Sequence, residues 1–230
     1  AHLNHSKVKG RVRFNPGKFN PFLGPRFGQR EIETYLSSER ISFEVLGWDE
    51  LITTVARCLA EGQIVGWFQG RMEIGPRALG ARSILASPRI AAIAGKINEK
   101  VKFRETFRPF APSLPEEFAH EFFDMDNRYS PFYYMLFALP VLPERINMVP
   151  AVVHIDGTAR PQLVNKEQMP RFHSLLCAVG HQTGVPMLLN TSFNIAGEPI
   201  VCSPGDAYKT FSYSNLDLLV LERCLIRRSG

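Results

Sequence analysis

Hydrophobic positions along the chain switch repeatedly between a helical period and short unbroken apolar runs. Leu51, Ile52, Val55, Ala56 and Leu59 fall on one helical face after a capping Asp49, and Gly62 stops the run. Ile64-Val65-Gly66-Trp67-Phe68 then reads as a buried strand, and residues 83–86 as a second one beyond a glycine-rich loop. Residues 90–97 have helical spacing, 116–123 form another short helix, and the aromatic-rich stretch 132–139 is strand-like. Strands are expected at 152–155 and 162–164 around a turn at Asp156-Gly157. The C-terminal part repeats the alternation: a helix over 168–183 ended by Gly184, a strand at 186–190, a polar loop to Glu198, a helix from Pro204 to about Tyr213, and strands at 218–221 and 224–227. Helices alternating with strands throughout predict an α/β fold, with a twisted mixed sheet covered by helices.

Residues 1–38 read differently. Asn15-Pro16-Gly17 and Gly24-Pro25-Arg26-Phe27-Gly28 are loop signals, followed by a short helical run at 30–36. This is the pattern of a connecting segment over 1–40, with compact structure starting near Trp48 and a domain drawn over 41–230. Ala1 in place of methionine is consistent with a piece of a longer protein, or with simple processing.

Composition narrows the class. With 45% hydrophobic and 21% charged residues over 230 positions, the chain is globular and neither disordered nor collagen-like. No apolar run reaches the length of a spanning helix, residues 1–10 lack the apolar core of a secretory signal, and a cytoplasmic protein is expected. Cys58, Cys177, Cys202 and Cys224 are widely spaced among apolar or small neighbours, as free thiols are. His154 and Asp156 could supply two metal ligands, but one of each in a strand pattern is commonly structural, and no metal site is assigned.

Charge changes the picture once it is located. Residues 71–108 hold nine Lys/Arg against three acids, a net of +6, whereas the whole chain is +5. Within this segment lies Gly70-Arg71-Met72-Glu73-Ile74-Gly75-Pro76-Arg77-Ala78-Leu79-Gly80, continued by Ala81-Arg82. A strand that runs into a glycine-punctuated, arginine-bearing loop can aim backbone N–H groups and guanidinium forks at one point, which suits phosphate. In the following Lys102–Pro112 segment an extended backbone would put Lys102, Arg104 and Arg108 on one face and Phe103 and Phe107 on the other; the alternative is a solvated basic edge. Asn190-Thr191-Ser192-Phe193-Asn194 ends an apolar strand, where open α/β sheets place ligands, although an ordinary Asx/Ser turn reads equally well. Asp156-Gly157-Thr158-Ala159-Arg160 is a tight turn that projects Arg160. P-loop, Rossmann, nucleophile-elbow and zincin motifs are all absent.

Taken in order, GRMEIGPRALGARSIL, VKFRETFRPFAPS, HIDGTAR and LLNTSFNIAGEPIV resemble the C-terminal domain of the carbamoyltransferase family that includes NodU, CmcH and TobZ. The similarity runs from about Trp48 to Arg228, and the first residues resemble the stretch that joins this domain to the family's N-terminal domain. Ala81 and Ser87 depart from the Asn and Asp common at those places. The resemblance implies a YrdC-like fold and an O-carbamoyltransferase whose C-terminal domain forms carbamoyl-adenylate from carbamoyl phosphate and ATP. It implies that Lys102, Arg108 and Arg77 are catalytic, holding carbamoyl phosphate and the triphosphate. Arg104, Arg160, Asn190, Ser192 and Asn194 would bind substrate or nucleotide, with Arg71 and Arg82 either supporting them or structural. Mg²⁺ is expected with ATP, iron only in the N-terminal domain, and that domain is the expected protein partner. Neither a membrane nor a nucleic acid is an expected partner. The alternatives are an RNA-binding module of the same fold, because threonylcarbamoyl-adenylate relatives serve tRNA modification, and a non-catalytic fragment completed by its partner domain.

Overall fold

A computed structural model describes residues 19–103, 105, 109–125 and 132–228. The strands are β1 (Glu44–Val45), β2 (Val65–Phe68), β3 (Arg82–Ala86), β4 (Ala111–Pro115), β5 (Leu139–Pro140), β6 (Thr158–Ala159), β7 (Gln162–Val164), β8 (Leu188–Ser192), β9 (Leu218–Leu221) and β10 (Cys224–Arg227). The helices are α1 (Gln29–Ser38), α2 (Trp48–Ala60), α3 (Ala92–Lys100), α4 (Ala119–Phe122), α5 (Pro170–Thr183) and α6 (Pro204–Tyr213). Eight strands form one mixed sheet in the order β1-β10-β9-β2-β3-β8-β4-β7, while β5 and β6 make a separate two-stranded ribbon. Only β2–β9 and β4–β7 pair in parallel within the large sheet.

Alternation along the central strands divides the core. In β2, Val65 and Trp67 join the layer formed by α2 and α5, with Leu175, Leu176 and Val179 opposite them. Phe68 and Ile64 join the other layer, with Ile93, Ile97, Phe193 and Phe211. Both faces of the sheet are thereby covered, and β2, β3 and β8 are buried along nearly their whole length, as expected for strands packed on both sides. Gly66 is needed for contact here: a Cβ would lie 2.7 Å from the Phe193 ring.

Local signals explain the helix ends. Ser203 caps α6, its hydroxyl accepting from Asp206 N at 3.2 Å while Asp206 Oδ2 accepts from Ser203 N at 2.9 Å. These bonds hold the Asp206 carboxyl below the usual carboxylate range, chiefly through the Ser203 N–H. Its contribution to stability is therefore complete at neutral pH and is lost as pH falls through the depressed pKa. Ser203→Ala is expected to lower stability by about 1 kcal/mol, read as a shift in the urea midpoint. Gly184, at φ +73, ends α5 in the left-handed conformation.

Three expectations are corrected. The stretch 132–139 is turn and 3-10 structure up to β5, with Phe132 and Tyr133 packed on the core as irregular chain. Residues Pro150–Val152 form a 3-10 turn and 152–155 make no strand, although the turn at Asp156-Gly157 is present. Compact structure begins well before Trp48: in the described part of the connecting segment, from residue 19 on, α1 buries Ile32 and Leu36 completely. Residues 21–25 also pair with the loop after β2 through Gly24 N to Met72 O, Met72 N to Pro25 O and Ile74 N to Pro21 O, at 2.8–2.9 Å. Loop composition hid this, because Pro and Gly mark irregular backbone without saying whether it is packed.

Candidate anion-binding site

The loop from Gly70 to Ala81 is held by three charged side chains. Glu73, 3% exposed, turns its Oε1 inward to accept from the backbone N–H groups of Leu79 (2.6 Å), Ala81 (3.2 Å) and Arg82 (3.4 Å). Glu222, at the β9–β10 turn, accepts from Gly70 N at 2.8 Å. Arg82 is completely buried, its guanidinium 3.5 Å from the Phe68 ring centroid and donating to the carbonyls of Pro25, Gln69, Gly70 and Ala81. Burial pushes its pKa down to about 10, against the opposing pull of Glu73, Cys202 and Glu222. Gly80 closes the loop at φ +102, where a Cβ would collide with Phe172.

Pinned in this way, the loop presents Arg77 at a cavity of about 120 Å³. Arg160, from the link between β6 and β7, meets it there, together with Asn190, Thr191 and Ser192 from the end of β8. Arg160 is half-buried, and its pKa is lowered first by burial and then by the charge of Arg77. Its buried Nε has no hydrogen-bond partner among the described residues. Among the described residues no carboxylate lines the cavity. Two guanidinium groups that repel each other in a partly desolvated pocket are relieved by an oxyanion, so the arrangement suits an anionic ligand.

Asn190 is placed by neighbours that motif reading does not reveal. Its Nδ2 donates to Ser113 Oγ and Gln162 Oε1, both at 3.0 Å, while Ser113 Oγ donates to Gln162 Oε1 at 2.7 Å. Gln162 Nε2 in turn donates to Leu79 O at 2.7 Å, tying the strand network to the Arg77 loop. The Asn190 Oδ1 is buried and has no partner among the described residues. Glu73, Glu222 and this Ser113–Gln162 pair were absent from the sequence-based site; the one trace of them is a polar Gln162 inside an otherwise apolar strand.

Lys102 follows α3 and is 3% exposed. Its ammonium donates to Ser192 O, to Ser192 Oγ at 3.1 Å, and to Asn194 O and Oδ1 at 3.1 and 2.7 Å. Ser192 Oγ donates to Asn194 Oδ1 at 2.7 Å, and Asn194 Nδ2 to Glu198 O at 2.8 Å. Lys102, Ser192 and Asn194 thus form one knot at the end of β8, beside the arginine cavity that Ser192 also lines.

The structure corrects the expected facing of Lys102 and Phe103 and places two of the other arginines. Phe103, expected to anchor the core, is 53% exposed at φ +47, and Lys102 is the buried member of the pair. The acceptors at the end of β8 outcompete solvent for the ammonium, whereas an extended segment would have turned it outward. Arg82 is a structural clamp on backbone carbonyls, absent from the cavity lining, and Arg71 lines a different cavity. The +6 segment is consequently divided among several surroundings. Arg104 and Arg108 lie outside the described residues.

Two metal readings can be placed. Asp156 accepts from Thr158 N and Oγ1 at 3.0 and 2.7 Å, and His154 Nδ1 lies 3.1 Å from the same hydroxyl, so both shape the turn. Among the described residues Glu117, His173 and Cys177 bring three ligand-type atoms within 4.8 Å of one another; none of them lines the arginine cavity. The four cysteines are free thiols. Among the described residues no helix is long and apolar enough to cross a membrane.

A mixed sheet covered by helices, with an arginine cavity at the end of its central strands, makes this an α/β protein. Among solved structures the chain is similar to full-length HypF in its phosphate- and nucleotide-bound form, with a TM-score of 0.56 at 18% identity over 81% of this chain and 23% of that one. HypF of T. kodakarensis superposes with a TM-score of 0.52 at 17% identity, over 78% of this chain and 22% of that one. The family model for the carbamoyltransferase C-terminus matches residues 56–228, and the chain belongs to that family. It is 44% identical over 208 residues to the nodulation protein NolNO of Sinorhizobium fredii, covering 90% of this chain and 31% of the relative. An uncharacterized protein of Synechocystis sp. is 42% identical over 231 residues, covering 91% of this chain and 37% of the relative. The chain spans about a third of the length of these curated relatives.

Proposed function

We propose that this chain is the carbamoyl-adenylate-forming part of an O-carbamoyltransferase and works on carbamoyl phosphate and ATP in the cytoplasm. The observation that carries the reading is the meeting of Arg77 and Arg160 in a cavity that no carboxylate of the described residues lines, next to the Lys102–Ser192–Asn194 knot. Hydrolysis of carbamoyl phosphate releases phosphate and leaves carbamate. A carbamate oxygen then attacks the α-phosphorus of ATP, a P–O bond forms, and the bond to the departing pyrophosphate breaks. Charge accumulates on phosphoryl oxygens throughout, so fixed cations can supply catalysis without a covalent nucleophile.

In this reading Arg77 and Arg160 clamp phosphate oxygens, and Lys102 fixes the Ser192 loop so that its hydroxyl and backbone face the nucleotide. Because the cavity offers no carboxylate among the described residues, a Mg²⁺ ion fits here as a companion of the triphosphate, whose charge it would neutralise. The transfer of the carbamoyl group to an acceptor hydroxyl, and any iron, belong in this proposal to a partner domain that resembles the remaining part of the longer relatives. The experiment is pyrophosphate release by the chain with ATP, Mg²⁺ and carbamoyl phosphate. Release that requires both substrates is expected, and binding of neither would reject the reading.

A further inference from the structure

A second cavity, of about 380 Å³, lies on the α5 side of the Gly70–Ala81 loop and shares no lining residue with the first. That volume suits a small organic ligand better than a lone ion. Its walls are mixed: Trp67, Phe172 and Met169 give apolar surface, and Arg26, Arg71 and Arg171 supply three guanidinium groups. Arg171 is neutralised by Glu222 and stacks on Trp48 with 3.8 Å to the ring centroid. Arg71 donates to the Gly24 carbonyl at 3.0 Å, and neither Arg71 nor Arg26 has an acid partner among the described residues.

Two buried polar atoms add a more specific signal. Trp67 is fully buried and Gln69 is 6% exposed; both line the cavity. The Trp67 Nε1 donor and the Gln69 Oε1 acceptor have no partner among the described residues, although Gln69 Nε2 is bound to Glu222 O at 2.9 Å. A buried donor and a buried acceptor left unpaired each carry a desolvation cost, which a ligand can remove. Trp67 lies near the C-terminal end of β2 and Gln69 directly follows that strand, and both line this cavity, so one flat ligand edge can meet both.

We propose that this cavity is a second binding site, for a small planar oxyanion, carboxylate or phosphate, whose opposite edge offers one hydrogen-bond acceptor and one donor. The oxyanion lies with Arg26 and Arg71, the flat body with Trp67, Phe172 and Met169, and the edge with Trp67 Nε1 and Gln69 Oε1. Because the site abuts the loop that presents Arg77, its occupancy is positioned to bear on the first cavity, but its existence does not depend on what reaction that cavity performs.

The test is titration calorimetry of the full chain with 4-carbamoylbenzoate and 4-carbamoylphenyl phosphate, with benzoate and benzamide as controls lacking the edge or the charge. Binding of either carbamoyl probe is expected, at least about 10-fold tighter than both controls, and weakened about 10-fold or more by Arg26→Ala with Arg71→Ala. These arginines are exposed, so the variants keep the fold. Arg160→Met should leave this binding unchanged, and in a Trp48→Phe background the emission of Trp67 should change on titration. The carboxylate and phosphate probes separate the two oxyanion classes. Absence of binding by both probes, or binding abolished by Arg160→Met and indifferent to the Arg26/Arg71 pair, would overturn the proposal.

Discussion

Arg160→Met is expected to lower carbamoyl-phosphate-dependent pyrophosphate release by about 10²- to 10³-fold, the scale of losing one preorganised charged donor. The same change should leave thermal stability unchanged or raise it. Burial and the charge of Arg77 both disfavour the Arg160 cation in the folded protein, and its Nε is unpaired among the described residues, so removing it relieves the fold while disabling the site. A catalytic loss accompanied by equal destabilisation would mean that Arg160 is structural. Steady-state rates and melting curves on the same preparations distinguish the outcomes.

The largest stability effect is expected at Glu73. Glu73→Ala strands three backbone N–H groups in a loop whose interior is closed to water, and a loss of about 3 kcal/mol or more follows from two or more unsatisfied donors. Glu73→Gln keeps one acceptor oxygen in place and should cost clearly less. Urea unfolding of both variants checks the order, and a Glu73→Ala change within about 1 kcal/mol of the parent would contradict the clasp. Because Arg77 is carried on this loop, the alanine variant should also lose nucleotide affinity.

How far the sequence could be read depended on how local each cause is. The α2 stripe and the strands β9 and β10 are written in neighbouring residues, and the structure places them where the pattern does, although the cap of α2 is Gly47 and Asp49 stands inside its first turn. Arg77, Arg160, Asn190 and Ser192 are named together by the family resemblance rather than by any local pattern, and the fold brings these four to one cavity. The failures concern partners distant in sequence. Nothing near Arg82 announces that Phe68 and four carbonyls will enclose it, and nothing near Lys102 announces the acceptors some ninety residues on. The aromatic stretch 132–139 misled because Phe and Tyr favour strands and irregular packed chain alike; Tyr133 there bonds Glu116 Oε2 at 2.8 Å. The Glu73 clasp is likewise invisible, since a lone acid in a glycine-rich loop carries no sign of facing inward.

The central claim is that the arginine cavity joins a carbamoyl group to the nucleotide. Its most direct test is mass spectrometry of a quenched reaction containing ATP, Mg²⁺ and isotopically labelled carbamoyl phosphate. Label carried on AMP, present with the parent chain and strongly reduced in Arg160→Met, is the predicted result. Unlabelled AMP alone, from a chain that binds both substrates, would contradict the account.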